Sequence, residues 1–213
     1  MKHAATAEYI LSQLNEKTKL GDLRIIAKEI KKDHDLALEL WTTNNYFARQ
    51  LAILIMDKKQ LSQEFIDQLD QDIQQHEAGE RNQLMDWLMA NQLSKDKKTI
   101  ALMESWENSP SYLQRRIFWY YQGRLRWMGQ PSPPNTEELL SKIEQQIEQE
   151  EPEVQWAMNF TASWIGVYDK TYRNRCIALG EKTGLYKGKM VSKGCTPEYL
   201  PDFIAIESKK RNL

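Results

Sequence analysis

The spacing of apolar residues limits what this chain can fold into more than any other feature. Leucine, isoleucine, methionine and tryptophan recur three or four residues apart along nearly the whole sequence, which is the period of one face of an α-helix. The sequence has no alternating Val/Ile/Thr run beside an Asn-Gly or Asp-Gly turn, so we predict no strand. Glycine (9) and proline (7) are sparse, as is usual in helical chains. We therefore predict an all-α fold.

The apolar pattern divides into eleven predicted helices, several of them with recognisable ends. Asp33 and Ser62 are typical N-caps, and Asn135 with Glu138 predicts a capping box. Gly184 suits a helix end, and the glycines and prolines after it predict an irregular C-terminal strap at residues 185–213. The predicted helices lie at about 5–15, 21–32, 33–42, 45–57, 61–76, 79–93, 96–107, 110–128, 135–150, 153–168 and 169–184.

Two stretches share one plan: LELWTTNNYFARQLAILIM at 38–56 and MESWENSPSYLQRRIFWYY at 103–121. In each, a short apolar helix ends in tryptophan, a polar turn follows, and the next helix has an arginine about one turn in. The two tryptophans are separated by about twice the period of a helical-pair repeat. Such pairs bury their apolar faces by stacking, which predicts a curved α-solenoid of antiparallel helix pairs forming a single domain, residues 1–213. A plain helical bundle is the alternative.

Several classes of protein are disfavoured by composition. Two cysteines and three scattered histidines suit neither a disulfide framework nor a metal cluster, so we expect no metal and no cofactor. No stretch has the roughly 20 apolar residues of a membrane span, and the N-terminus lacks a basic-then-apolar signal. We therefore expect a cytoplasmic protein without a membrane partner, and a monomer.

Charge is distributed unevenly along the chain. The formal net charge is −1, which by itself predicts no polyanionic partner. Residues 160–213, however, contain twice as many basic as acidic side chains, and the rest of the chain is acidic. This pattern favours a basic face near the C-terminal end that could meet phosphates, the alternative being an ordinary solvated surface.

One carboxylate stands out. In NQLMDWLMANQL, residues 82–93, Asp86 interrupts a helix that is apolar on most of its circumference. Asn82, Asp86 and Ala90 form one stripe, so the acid should lie at the rim of a groove, partly dehydrated, where it interacts strongly with cations. The alternative is a structural carboxylate paired with a lysine or with a backbone group. The neighbouring Trp87 points about 100° around the helix, and we interpret it as a core residue.

Three segments resemble a known family. Residues 21–41, GDLRIIAKEIKKDHDLALELW, with ARQLAILIMD at 48–57, resemble the opening of the HEAT-like-repeat DNA alkylation repair family, the AlkD-type glycosylases. QRRIFWYY at 114–121 resembles its paired-arginine helix. Residues 156–204 resemble the C-terminal part of a subgroup with a Lys-Gly-Cys-Thr-Pro tail. The resemblance implies a solenoid of HEAT-like repeats and a double-stranded DNA partner bound without sequence preference.

The resemblance also implies roles for individual residues. In active members a Trp and an Asp four residues apart, with a Trp on a later helix, surround the damaged nucleotide. These positions fall at Asn82, Asp86 and Phe160. The implied reaction is hydrolysis of the N-glycosidic bond of a cationic N3- or N7-alkylpurine. A carboxylate would stabilise positive charge on the sugar, aromatic rings would contribute cation–π contacts, and the lesion would stay stacked in the duplex.

Four residues are predicted to contact DNA phosphates. The resemblance implies this role for Arg115 and Arg116 of the paired-arginine helix. Lys170 and Arg173 follow the helix that carries Phe160, and a curved solenoid would bring them to the duplex backbone. For the paired arginines, the alternative is a salt bridge to a glutamate of a neighbouring repeat, for example in 96–107.

Two departures from the family pattern leave three functional hypotheses. Asn82 has an amide where the motif has an indole, and Phe160 has a ring with a weaker π face. In addition, NEKTKLGDLR at 15–24 is shorter than in related sequences. The first hypothesis is an alkylpurine DNA glycosylase. The second is a catalytically inactive family member that serves as a DNA- or protein-binding scaffold. The third is a protein-interaction solenoid that does not touch nucleic acid.

Overall fold

The structure is a computed structural model that describes residues 6–127 and 131–213. Within these ranges the chain forms twelve α-helices and no strand, which confirms the all-α prediction. The helices are α1 (Ala7–Gln13), α2 (Leu20–Ile30), α3 (His34–Thr42), α4 (Tyr46–Ile55), α5 (Gln63–Ile73), α6 (Ala78–Asn91), α7 (Lys97–Ser105), α8 (Tyr112–Trp127), α9 (Thr136–Gln146), α10 (Pro152–Tyr168), α11 (Arg173–Thr183) and α12 (Leu200–Arg211).

The first of two compact units spans Met1–Ser105 and contains α1 to α7. Helix α4 is its centre, because α2, α3 and α6 all pack on it, and α5 packs on α6. Its apolar face is fully buried, as shown by Leu51 and Ile53, and so is the facing side chain Leu88 of α6. Each such side chain contributes roughly 1.5–3 kcal/mol through removal from water.

The second unit spans Trp106–Leu213 and is organised around α10. Helix α8 packs along α10 in the most extensive contact of the unit, and α9, α11 and α12 cover other sides. Thr161 on α10 donates a hydrogen bond to the carbonyl of Trp119 on α8, at 2.6 Å. The two helices approach closely at Gly123, where an added Cβ would lie 2.5 Å from Cδ1 of Phe160. The Phe160 ring therefore packs directly against the backbone of α8.

All eleven predicted helices are present within a few residues of their expected ends. The N-caps are also confirmed, since Asp33 accepts a hydrogen bond from the Leu36 amide and Ser62 accepts one from the Phe65 amide. Gly184 ends α11 in the left-handed conformation, with φ of 61°.

Two local predictions are wrong. The segment 185–213 is irregular only as far as Tyr199, because Leu200–Arg211 forms α12. Pro201, one of the prolines on which that prediction rested, occupies the first turn of α12, where its missing N–H costs nothing. Asn135 makes no side-chain cap; its Oδ1 instead accepts a hydrogen bond from Arg126 at 2.9 Å.

Candidate nucleic-acid interface

Asp86 lies on α6, the helix predicted to carry a partly dehydrated carboxylate. The side chains of α6 that are fully buried are Leu84, Met85, Leu88 and Met89. Asp86 itself is half-buried, and its Oδ1 is shielded from solvent. A carboxylate in such a place interacts more strongly with nearby positive charge than one in open water. The partial dehydration of the carboxylate is as expected, while its place at the rim of a groove and its part in any chemistry are still predictions.

Asn82 lies one turn before Asp86 and is also half-buried. Its Oδ1 is shielded from solvent and accepts no hydrogen bond from the residues that the structure describes. An amide has no π face, so the contribution of roughly 0.5–2 kcal/mol that an indole would make toward a cationic base is missing at this position.

Trp87 ties α6 to its neighbours. Its Nε1 donates a hydrogen bond to the carbonyl of Gln50 on α4 at 3.0 Å, and the Arg24 guanidinium lies 5.0 Å from the ring centroid. The side chain is half-buried rather than fully in the core. Trp87 therefore has a structural role, as predicted, but it lies at the edge of the core rather than inside it.

A polar network joins the start of α4 to α6, next to Asn82 in sequence. The hydroxyl of Tyr46 donates to Oε1 of Gln83 and accepts a hydrogen bond from Nε2 of Gln50 at 2.9 Å. Burial, together with the negative charge of Glu80, raises the pKa of Tyr46. The phenol therefore stays protonated at neutral pH and keeps its donor role.

In the second unit Phe160 belongs to an aromatic row along α10. The row consists of Trp156, Phe160, Trp164 and Tyr168, four residues apart and therefore on one face of the helix. The ring of Phe160 stacks on Trp156, with centroids 5.4 Å apart and planes 19° apart, and meets Trp164 edge-on at 6.1 Å. Phe160 thus provides a rigid ring in a continuous aromatic surface.

Helix α8 extends this surface with two further rings. Tyr120 contacts Phe160 edge-on at 5.0 Å, and Trp127 does so at 6.4 Å. Arg116 lies 4.5 Å from the centroid of Trp156, and Arg124 lies 5.7 Å from Tyr120 and 5.8 Å from Trp127. Guanidinium groups at such distances are attracted by the ring faces. The result is a surface on which rings and positive charges alternate.

Arg115, predicted to hold a phosphate, is engaged in a structural ion pair. Its Nε and Nη2 donate to the two carboxylate oxygens of Glu150, at 3.0 and 2.9 Å, and Nη1 donates to the carbonyl of Ser109 at 2.9 Å. The salt-bridge alternative is therefore present, although the partner lies outside 96–107. Phosphate contact by Arg115 would require this bidentate pair to open.

The other three predicted phosphate residues differ in accessibility. Arg116 is only 4% exposed and donates to the carbonyl of Glu153 at 3.1 Å. Arg173 donates to the carbonyls of Gly166 and Val167, at 2.9 and 2.8 Å, and so caps the C-terminal end of α10. Lys170 is exposed and has no ion pair with any described residue. Of the four, Lys170 is the one most ready to meet a phosphate.

Arg124 is a functional candidate that the sequence analysis did not identify. It is half-buried between two rings and makes no hydrogen bond or ion pair with residues 6–127 or 131–213. An arginine side chain has five N–H donors, all of which are then available to a ligand. Its spacing in the sequence could have identified it, because Arg116, Tyr120 and Arg124 recur every four residues on one stripe of α8.

Much of the positive surplus in residues 160–213 is neutralised locally. Arg175 pairs with Glu144 and Glu137, each at 2.7 Å, both of them residues of α9. Lys189 pairs with Glu198 at 2.7 Å, and Glu207 pairs with two further cations of α12. The cations of this region without an ion pair to the described chain are Lys170, Arg173, Lys187, Lys193 and Lys209, and Arg173 is occupied by backbone carbonyls. The basic face expected from composition is thus smaller than the count suggests.

The segment before α12 is fastened to the aromatic row through Glu198. Trp156 donates its indole N–H to Oε1 of Glu198 at 2.6 Å, and Asn159 donates to the Glu198 carbonyl at 2.8 Å. Burial raises the pKa of Tyr186, in the same segment, to about 12, with a further contribution from Glu198. These contacts hold the row at Trp156 and Asn159, whereas Trp127 of α8, which contacts Phe160, is 41% exposed.

The predicted residues are thus divided between the units. Asp86 and Asn82 belong to the first unit, whereas Phe160 and the four predicted phosphate residues belong to the second. The described residues contain no cluster of three metal-binding side chains. Nor does any helix in that part of the chain have the length and apolar character needed to cross a membrane.

Comparison with known proteins establishes the family. The family model described as "DNA alkylation repair enzyme" matches residues 18–175, most of the chain. The chain belongs to this family. Two Listeria proteins are similar to it over 91% of its length and 82% of their own: Lin0241 of Listeria innocua serovar 6a, 24% identical, and Lmo0209 of Listeria monocytogenes serovar 1/2a, 22% identical.

The solved structure of another protein has the same fold as this member of the DNA alkylation repair family. It matches with a TM-score of 0.69 and 21% identity, over 97% of this chain and 88% of the other. It is described as one of a new family of proteins related to the HEAT-like repeat DNA glycosylases with affinity for branched DNA structures. The predicted HEAT-like repeat fold is therefore confirmed.

Proposed function

We propose that this chain is a DNA-binding protein that recognises the DNA backbone without reading sequence. The observation that carries the proposal is Arg124, a guanidinium held between Tyr120 and Trp127 without a carboxylate partner in the described chain. A cation placed in this way is suited to a phosphate. As such a protein it would act as a monomer in the cytoplasm.

Membership in the DNA alkylation repair family supports the same proposal, and so does the fold shared with a protein from a family described as having affinity for branched DNA structures. Lys170 would add a second phosphate contact on this unit, because it is exposed and has no ion pair in the described chain. We give Arg115, Arg116 and Arg173 a smaller part, because each already donates to a carbonyl or a carboxylate.

The test is fluorescence anisotropy with labelled duplex and three-way junction DNA. Arg124→Gln should weaken binding to both DNAs by roughly 10- to 150-fold, the loss expected for one charge-assisted contact. Arg175→Gln is the matched control, since that arginine is already paired with Glu137 and Glu144, and it should change affinity little. Equal effects of the two substitutions would count against the proposed role of Arg124.

A second candidate function is excision of alkylated purines, and Asp86 favours it. An N3- or N7-alkylated purine is already a cationic leaving group, so the enzyme needs chiefly to stabilise positive charge on the sugar and to position a water. A half-buried carboxylate is suited to that task. Asn82 and Phe160 stand at the other two positions, and neither supplies an indole.

Excision is tested by incubating methylated duplex with the protein and measuring free N7-methylguanine and N3-methyladenine. If the protein is a glycosylase, Asp86→Asn should lower release at least about 100-fold, since the variant lacks the charge that stabilises the transition state. Its affinity for the duplex should stay within about threefold. Binding without release by the unaltered protein would leave the scaffold function.

A further inference from the structure

Trp127 differs from the other tryptophans of this chain in its exposure to solvent. The other six tryptophans are buried or half-buried, whereas Trp127, the last residue of α8, is 41% exposed. An isolated exposed apolar residue needs no explanation. This one differs because it forms the open edge of an aromatic surface that also contains Phe160.

The exposed indole is held in a fixed orientation. Trp164 lies behind it, with centroids 6.0 Å apart and planes 32° apart, and Phe160 contacts it edge-on at 6.4 Å. Trp164 is itself only 4% exposed and carries the Arg211 guanidinium 4.8 Å from its centroid. A ring backed in this way loses little conformational freedom when a ligand stacks on it.

A cation is situated over the ring but not in direct contact with it. The Arg124 guanidinium lies 5.8 Å from the Trp127 centroid. A group stacked directly on the ring would lie at roughly 3.5–4 Å, the contact distance between carbon atoms. The indole is 41% exposed, so a flat ligand can reach its open part with this positive charge close by. A nucleotide offers both a flat base and an anionic phosphate.

We propose that Trp127 stacks an unpaired nucleobase while Arg124 holds the adjoining phosphate. This inference rests on the DNA binding proposed above and narrows its substrate to duplex DNA that contains unpaired nucleotides, as at a bulge, a gap or an open branch point. In a continuous duplex the base faces are covered by their neighbours, so the indole has nothing to stack on. Aromatic stacking tolerates any base, in keeping with binding that ignores sequence.

The experiment compares two labelled DNAs, a 20-base-pair duplex and the same duplex with a three-nucleotide bulge. Trp127→Ala should weaken binding to the bulged DNA by about 5- to 150-fold, the range for loss of one base–aromatic stack. Binding to the continuous duplex should change less than about twofold. Trp127→Phe keeps a ring and should retain most of the preference. Circular dichroism checks that the variants are folded.

Ile206→Ala is the matched control, because Ile206 is an exposed apolar residue of the same unit on α12, and it should leave both affinities unchanged. Equal losses on the two DNAs after Trp127→Ala, or no loss on either, would overturn the stacking role while leaving DNA binding intact. If the unaltered protein binds neither DNA at low salt, the proposed function fails and the inference fails with it.

Discussion

Individual arginines in this molecule mostly serve the fold, and they do so in a recurring way. Arg49 donates to the carbonyls of Trp41 and Asp72, and Arg115 donates to the carbonyl of Ser109. The two arginines occupy matching places in the internal repeat, each shortly after the turn that it holds. Carbonyls at helix ends lack partners within the helix, and an arginine satisfies them. This use explains why Arg115, which resembles a family phosphate contact, is already engaged.

At the residue scale, Gly123→Ala should destabilise the protein. The added methyl group would lie 2.5 Å from Cδ1 and 2.9 Å from Cε1 of Phe160, so the ring or α8 must move. We expect a loss of about 1–3 kcal/mol in the free energy of unfolding, measured by urea denaturation. The shifted ring should also weaken DNA binding if Phe160 takes part in it.

Gly79→Ala provides the control for that substitution. Gly79 is also helical, and nothing lies within 4 Å of the position where its Cβ would be. Alanine should therefore be neutral there or stabilise the protein by up to about 1 kcal/mol, through helix propensity. A similar response at both glycines would show that the contact with Phe160 carries no energetic weight.

At the scale of elements, α12 is a helix that the sequence pattern did not predict. Its apolar pattern is short and interrupted, and Pro201 directed the prediction toward an irregular chain. In the structure α12 packs on α10 and α11, and the approach to α11 is close because Gly180 has no side chain. Its stability as a helix comes from these tertiary contacts, which a local reading of residues cannot supply.

Glu207 on α12 predicts a dependence of stability on pH. Burial alone would raise its pKa, but hydrogen bonds from Lys210, Thr196 and Arg211 outweigh that effect and lower the pKa from 4.5 to about 2. A carboxylate whose pKa is lowered by folding stabilises the folded state above its unfolded pKa. That contribution is lost as the pH falls from about 4.5 to about 2.

Glu207→Gln should therefore cost roughly 1–3 kcal/mol in the free energy of unfolding at neutral pH, since two charge-assisted contacts are lost. The difference between this variant and the unaltered protein should shrink below pH 4.5. Denaturation at a series of pH values measures it. Glu181→Gln on α11, an exposed position, should change stability by less than about 0.5 kcal/mol at every pH. A difference that stays constant with pH would contradict the charge argument.

At the scale of the whole molecule, sequence pattern predicted the architecture far better than the site. Helical periodicity reports which face of a segment is buried, and that was enough for the eleven predicted helices and the all-α fold. It does not report which polar partner a side chain finds. Glu150 lies 35 positions after Arg115, and nothing local links them. The availability of Arg124 likewise depends on where carboxylates from distant elements are placed.

The same distribution of ion pairs predicts a moderate salt dependence of DNA binding. Net charge is −1, so attraction must come from a local group of cations. In the second unit, those without an acidic partner in the described chain include Arg124 and the lysines at 170, 187, 193 and 209. If about three to five of these meet phosphates, the logarithm of the binding constant should fall with that of salt concentration with a slope of about −3 to −5.

Anisotropy titrations between about 50 and 200 mM salt measure this slope. Arg124→Gln should reduce its magnitude by about one, because one phosphate contact is removed. A slope close to zero would point to a partner other than nucleic acid. A slope steeper than about −8 would mean that paired cations such as Arg115 and Arg175 open to join the contact.

The close seat of Phe160 against Gly123 has a bearing on any attempt to redesign this protein. Placing an indole at position 160 would take more than one substitution, because the Phe160 ring already lies so close to α8 that an added methyl group at Gly123 would be 2.5 Å from its Cδ1. An engineer would first have to widen the gap between α8 and α10. In this molecule the choice of ring is dictated by the backbone opposite.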